Sequence, residues 1–419
     1  MRRGRTILAV LALLAVPALA GADGKVSFLP TFNVYGDWTD NFLLTADNAS
    51  QKKLTAWYMS FEPGLHFRYD SFRTEAIVGG SANFLHVFNL RGYDGWPENY
   101  NGDVSWAYWL TSSFRASVGD QMVYFTDPRT QPFSAGKTLA GLRTESLTNR
   151  MFTVEQYTPA PLSVVEAGYS FITTEFRDLA LWDSVQHQAY LTWTQQVGEA
   201  EKFIVFYDFN RALFSHEYKF FRRFLNRQFV MKPPFPVALG GNGDFDTHVP
   251  GAGLIYQATP TLSFEARSGA IIPFTEENNR YHRNELEWYQ RLLITRVFWK
   301  MQAIASYSRD FAPAGGIAGA VLTQSVFGNL DERWDTKFET FQEVGYTNYL
   351  QPPPTPTNID SVSASAGATY YFFPWIGLGG TYNRLEQWGG TAGSHARTAA
   401  DAVVLRLMLQ APRPNWAQF

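Results

Sequence analysis

The chain has 419 residues, a formal net charge of −3 and no cysteine. A cysteine-free chain has no disulfide framework, zinc–thiolate site or cysteine nucleophile, and a near-balanced charge leaves no footprint for nucleic acid. Aromatics make up 16% and hydrophobics 45%, yet charged residues only 17%, against about 25% in soluble domains.

The first element is a targeting segment. Arg2, Arg3 and Arg5 precede an apolar run from Ile7 to Ala15, and Ala18-Leu19-Ala20 is a cleavage motif of the A-x-A kind. This reads as a signal peptide over residues 1–20, leaving 21–419 as one unit. The apolar run is short for a spanning helix, and nothing after it is long enough for one. The exported chain is therefore soluble or a β-barrel.

The rest reads as strands. Val26–Tyr35 comes first, then Thr55–Tyr69, with Trp57, Met59, Phe61, Leu65, Phe67 and Tyr69 on one face and Glu62, Gly64, His66 and Arg68 on the other. Period-two alternation with one apolar face is the sheet signature. Phe72–Phe88 follows, then a polar loop over 89–102. Val104–Phe125 is a hairpin whose Val104, Trp106, Tyr108 and Leu110 share a face. Beyond a long loop, Thr126–Leu142, come Arg143–Tyr157, a turn at 158–161, Leu162–Phe176, Val185–Val197 and Phe203–Phe214. After the longest segment, Ser215–Asp246, the pattern resumes with Thr247–Ala258, Thr261–Pro273, Asn284–Val297 and Lys300–Phe311. Thr336–Tyr349, Asp360–Phe372, Trp375–Trp388 and Thr398–Gln410 complete the series. Most exceed the roughly 5–6 residues usual in globular sheets and match the 9–11 that a membrane barrel strand needs.

Short turns at Asp70, Thr111, Pro159, Gly198, Pro260, Phe298 and Pro374 alternate with long loops, as in bacterial outer-membrane barrels with short periplasmic turns and long external loops. Both ends in the periplasm require an even strand number. The missing member is Ile317–Phe327, with a turn at Asn329–Arg333. The expectation is an all-β, single transmembrane antiparallel up-and-down barrel of 18 strands, with sixteen as the alternative. Phe72, Phe114, Phe203, Phe298, Trp299, Phe373 and Trp375, at the edges of short turns, read as its inner aromatic girdle.

The faces opposite the apolar ones carry Glu62, His66, Arg68, Arg115, Glu265, Arg267, Glu285, Glu287 and Arg291. In a barrel these line the lumen, where charges of both signs sort solutes by charge and size, unless they only hydrate the bore. Strict alternation from Phe114 would place Asp120 on the lipid face. A β-bulge at Gly119, or a site already near the outer rim, would resolve this. Residues 216–232 (HEYKFFRRFLNRQFVMK) are basic, with Phe221, Phe224, Leu225 and Gln228 at helical spacing. Lys219, Arg222, Arg223 and Arg227 are candidates for a constriction folded into the pore, for an external contact with lipopolysaccharide phosphates, or for a cationic surface loop. No catalytic constellation or metal-ligand spacing is present, so neither an enzyme nor a cofactor is implied.

Tyr35–Leu43 (YGDWTDNFL), followed by Phe61-Glu62-Pro63-Gly64-Leu65, resembles the opening of porin-like β-barrel families of bacterial outer membranes. Val118–Val123 is similar to a Gly-Arg-Gln-Val strand of proteobacterial barrels, with Asp120 in place of the arginine. Phe419 is similar to the aromatic end by which barrel assembly machinery recognises its clients. The resemblance implies architecture and a Gram-negative outer membrane, with lipid, lipopolysaccharide and a periplasmic protein as expected partners, and it carries over no site residue. Two functions fit: a channel or the barrel of an export or uptake system, and a scaffolding barrel without free conductance.

Overall fold

The computed structural model describes residues 24–41, 53–89, 99–125, 146–176, 183–215, 244–277, 280–283, 286–313, 320–351, 357–391 and 396–410. The proposed signal peptide, Lys219, Arg222, Arg223, Arg227, Glu285 and Phe419 lie outside them. In chain order the strands are β1 (Lys25–Thr39), β2 (Ala56–Asp70), β3 (Thr74–Val87), β4 (Asn99–Thr111), β5 (Phe114–Phe125), β6 (Ser146–Ala160) and β7 (Ser163–Phe176). Then come β8 (Asp183–Gln196), β9 (Glu201–Ser215), β10 (Phe245–Thr259), β11 (Leu262–Glu277), β12 (Arg280–Arg283) and β13 (Glu287–Phe298). The last are β14 (Met301–Pro313), β15 (Ala320–Arg333), β16 (Phe338–Gln351), β17 (Thr357–Phe373), β18 (Ile376–Thr391) and β19 (Ala396–Gln410).

Each strand pairs antiparallel with the next, and β1 pairs with both β2 and β19, so the sheet closes. β12 is a four-residue extension on the tip of β11, which bonds onward to β13. The remaining strands form an 18-stranded up-and-down barrel with no sheet edge, and closure is what removes the edge-pairing liability of so long a sheet.

Boundaries differ from the sequence reading where polar residues pair. β4 starts at Asn99 because Asn99 and Asn101 continue the ladder against Asn83 and Ser81. β6 runs through Pro159 to Ala160, leaving Pro161-Leu162 as the turn. β15 extends to Arg333, because Asn329, Asp331 and Arg333 oppose Glu343, Phe341 and Glu339, so its turn is 334–337 rather than Asn329–Arg333.

Cross-strand partners share a face, so the register sorts every strand into an outer and an inner set. The outer set includes Trp57, Leu65, Val104, Trp106, Met151, Leu191, Leu254, Leu292, Val344 and Leu405, all between 38% and 59% exposed. Each such half-exposed side chain left in water forgoes roughly half of the 1.5–3 kcal/mol that full burial gives. A continuous apolar exterior of this size needs an apolar surrounding.

The upper limit of this belt, toward the long loops, has a repeated signature. Tyr169 Oη meets His187 Nδ1 at 2.7 Å and Tyr207 Oη meets His248 Nδ1 at 2.6 Å. Tyr346 Oη donates to Asp360 at 2.6 Å and Tyr382 Oη to Asp401 at 2.5 Å. In all four the partner stands two residues loopward of the residue directly opposite the tyrosine. Tyr169, Tyr207 and Tyr382 each lie six residues above the first residue of their strand, and Tyr346 eight. At about 3.3 Å per residue and a tilt of about 40°, the rings sit roughly 15–20 Å above the short turns. With the exposed Phe72, Trp299 and Phe373 at those turns, the belt approaches the roughly 25 Å of outer-membrane barrels.

This row corrects the reading of Asp120. There is no bulge at Gly119: pairing runs unbroken through Gly119 and Asp120 on both sides. The register shifts within strand pairs fall beside short turns, at Trp109/Thr111, Tyr157/Ala160, Gln257/Thr259 and Tyr371/Phe373. Gly119 faces inward under the ring of Phe152, where a Cβ would collide. Asp120 faces outward between Val104 and Met151, six residues above Phe114, and accepts a 2.8 Å bond from Asn149 Nδ2. Asn149 is two residues loopward of Met151, so Asp120 occupies a tyrosine's place in the row and uses the same diagonal bond. The outer-rim alternative is the one that holds.

Candidate functional site: the lumen

The inner face divides into sectors. On β1–β5, Glu62 accepts hydrogen bonds from Tyr35 Oη (2.5 Å), Ser81 Oγ (2.8 Å) and Asn33 Nδ2 (3.2 Å). Nearer the short turns, Arg68 pairs with Asp70 at 2.8 Å and with Glu75 at 3.1 Å, and Glu75 also meets Arg115 at 3.4 Å. Arg115 lies over the ring of Trp109, 4.7 Å from its centroid. His66 Nε2 stands 3.8 Å from Asp103, and a side chain at Gly79 would displace the imidazole. Arg–carboxylate ladders of this kind hold cations and anions in a fixed transverse pattern along the wall.

A second charged wall lies on β9–β14, about eight strands around the barrel. Arg267 bonds Glu265 at 2.7 Å and stands directly opposite Arg291 in the β11–β13 register. Like charges placed so are destabilising unless compensated. Asp208 supplies compensation within electrostatic reach of both arginines, and Asp310 lies in the same cluster beside Tyr289. At the loopward end of β13, Glu287 reaches Arg309, which stands opposite Gln290 on the outer register, at 2.5 Å. Beside these charges the sector is apolar: Ile204, level with Arg267, and Phe206, Phe245, Ile271, Tyr289 and Phe311 belong to one buried cluster. Phe206 spans the sheet to Tyr289, 5.4 Å between ring centroids, across Gly251, where a side chain would block the ring.

The inner face of β17–β18 carries little charge. β17 presents Ser361, Ser363, Ser365, Gly367 and Thr369 inward, and β18 presents Gly377, Gly379, Thr381, Asn383 and Gln387. Ser361 accepts from Gln387 at 3.2 Å, and Ser325 and Thr347 lie 3.2 Å apart.

No family model matches the chain, and no curated protein matches it. Among solved structures it is similar to the outer membrane protein OpdK from Pseudomonas aeruginosa, with a TM-score of 0.47 and 9% identity, covering 92% of this chain and 99% of that one. Acinetobacter baumannii OccAB4 matches with a TM-score of 0.46 and 10% identity over 92% of this chain and 98% of that one. The FrpB iron transporter from Neisseria meningitidis gives 0.48 and 8%, over 95% and 83%.

Glu62, His66, Arg68, Arg115, Glu265, Arg267, Glu287 and Arg291 all fall on inward register positions. They do not form one site. Arg68 and Arg115 both pair with Glu75, Arg267 and Arg291 stand opposite each other in the register, and Glu62 sits in a separate hydrogen-bonded group. Alternation alone could have found Glu75, Asp103, Asp208 and Asp310, since each occupies an inward parity; without the register there was nothing to pair them with.

Proposed function

We propose that the chain is an outer-membrane channel that passes small polar solutes through a charged, hydroxyl-lined lumen. The observation that carries this reading is the inverted polarity of a closed barrel, apolar outside and ionic or hydroxylic inside. A soluble barrel buries its apolar face inward, whereas only a bilayer rewards the arrangement seen here. The role is transport rather than catalysis, alone or as the barrel of an export or uptake system, with barrel assembly machinery and a periplasmic protein as partners. Lys219, Arg222, Arg223 and Arg227 remain our candidates for a constriction. Planar-bilayer recording of the purified protein tests the reading: stepwise ion conductance is expected, and a protein that inserts without conducting would overturn it. A second reading, a scaffolding barrel closed to free solute, is favoured by one feature, the buried apolar cluster around Phe206 and Phe245 on the inner face. Silent insertion is the outcome that would select it.

A further inference from the structure

The outer belt is not apolar throughout. Over β13–β16 it carries Arg296, Glu332, Thr340 and Gln342, all on outward register positions, beside Ala303 and Ala305 of β14. Thr340 Oγ1 donates to Glu332 at 2.6 Å. Gln342, four residues above the Phe338 end of β16, is exposed and has no hydrogen bond among the described residues. Arg296 lies over Phe298, 5.4 Å from the ring centroid, and has no carboxylate partner among them. Hydrocarbon offers neither a counter-ion nor an amide partner, so polar groups held against it cost stability. A protein face is the surrounding that these residues fit.

The register fixes their depths. One row runs Leu262, Arg296, Ala303, Leu330, Gln342 across β11 and β13–β16. At a tilt of about 40° such a row climbs roughly 3 Å per strand. Glu332, two residues below Leu330, therefore returns to within about 2 Å of the depth of Arg296. By the same count Gln342 lies level with the span between Ala266 and Ser268 on β11. Those two residues floor an outer-surface groove of about 510 Å³ walled by Leu254 and Leu292. A cation and an open groove on β11–β13 thus match, depth for depth, an anion and a protruding amide on β15–β16.

The angle between the two faces sets the symmetry. With β12 only a tip on β11, the β11–β13 seam and the β15–β16 seam are three strand spacings apart in a barrel of eighteen. That is about 60° of arc. Neighbours around a three-fold axis view one another along directions about 60° apart. β14 then faces the axis, where Ala303 and Ala305 let three copies converge.

We propose that this chain assembles as a trimer, with the β15–β16 face of each copy seated head-to-tail on the β11–β13 face of the next. Glu332 meets Arg296 across the contact, and Gln342 enters the groove over Ala266 and Ser268. Charge complementarity at one depth, between two faces of the same chain, selects a second copy as the occupant over an unrelated protein. The assembly goes beyond the channel reading and holds for an open or a closed lumen.

The chain has no cysteine, so introduced thiols report the contact directly. The full-length protein carrying Gln342→Cys and Ser268→Cys is treated in isolated outer membranes with a short bis-maleimide and run on a denaturing gel. Covalent products ending at three chains are expected, with each single variant remaining monomeric. Adding Glu332→Arg to the pair sets like charges opposite each other and should cut the yield about tenfold or more. Adding Arg296→Glu as well reverses both charges and should restore the yield, a rescue that a folding defect would not show. Heat-modifiability of the unlinked protein checks that each variant is folded. Dimers from Gln342→Cys alone, products beyond three chains, a double-cysteine protein that stays unlinked, or a double charge reversal without rescue would each overturn the assignment.

Discussion

The two charged walls of the lumen use the same residue types to different ends. On β2–β5, Arg68 and Asp70 are 30% and 37% exposed and Arg115 is 37% exposed, so their ion pairs stand in the bore. On β11, Arg267 and Glu265 are 25% and 16% exposed, and the cluster they belong to sits beside Phe206 and Tyr289. Hydrated pairs contribute little to stability because water screens them and their side chains lose entropy on pairing. A pair set against apolar packing is costly to break, because the partner left behind is poorly solvated. On the channel reading proposed above, the first wall is the one to tune what passes, whereas the second also holds the barrel together.

The largest effect should come from the apolar part of the second wall. Phe206→Ala is expected to cost about 3–5 kcal/mol, as for other large-to-small changes at fully packed sites, and to lower the temperature at which the folded band is lost on a heat-modifiability gel. Ile77→Ala, on the inner face of β3 and only half-buried, should cost less than half of that. Similar losses at both positions would dissolve the distinction between the walls.

Next come the arginines. Arg267→Gln removes the partner of Glu265 and half of the countercharge of Asp208, and should cost about 1–2 kcal/mol. Arg68→Gln should cost less than about 1 kcal/mol. Both should shift the reversal potential in a salt gradient toward cations, and Glu75→Gln toward anions. A stability loss for Arg68→Gln as large as that for Arg267→Gln would contradict the hydration argument.

These contrasts also show what was legible in the chain alone. Alternation names the face of a side chain, so Trp57, Trp106 and Leu405 could be sent outward, and Glu62 and Arg291 inward, from residue order. Strand count followed from turn spacing, including β15, although its polar base from Asn329 to Arg333 looked like a turn because strand propensity is a weak guide where the partner strand supplies the bonds. Contacts across strands were not legible. The meeting of Arg68 with Glu75, or of Arg267 with Arg291, depends on register and shear, which are properties of the closed sheet and not of any one strand. Gly119 was misread for a related reason. A glycine within a strand suggests either a bulge or a close approach, and only the position of Phe152 decides between them.

The smallest effect, and the sharpest test of the girdle, concerns Asp120. On β7, β9 and β18 the same height is held by a tyrosine whose hydroxyl reaches diagonally to a polar residue above it, and on β5 the carboxylate does so through Asn149. If the row marks the membrane's outer boundary, the position requires only a group that can bond upward while tolerating lipid beside it. Asp120→Tyr should then be neutral or stabilising by up to about 1 kcal/mol, since a ring adds apolar contact and its hydroxyl keeps a partner. Asn149→Leu in the parent should cost about 1–2 kcal/mol, because it leaves a carboxylate in the belt without its donor. In the Asp120→Leu background the same change should cost almost nothing. Urea unfolding of the four proteins from lipid vesicles gives the coupling directly. A coupling near zero, or an Asp120→Tyr protein less stable than the parent by more than about 1 kcal/mol, would mean that the aspartate serves something other than the rim.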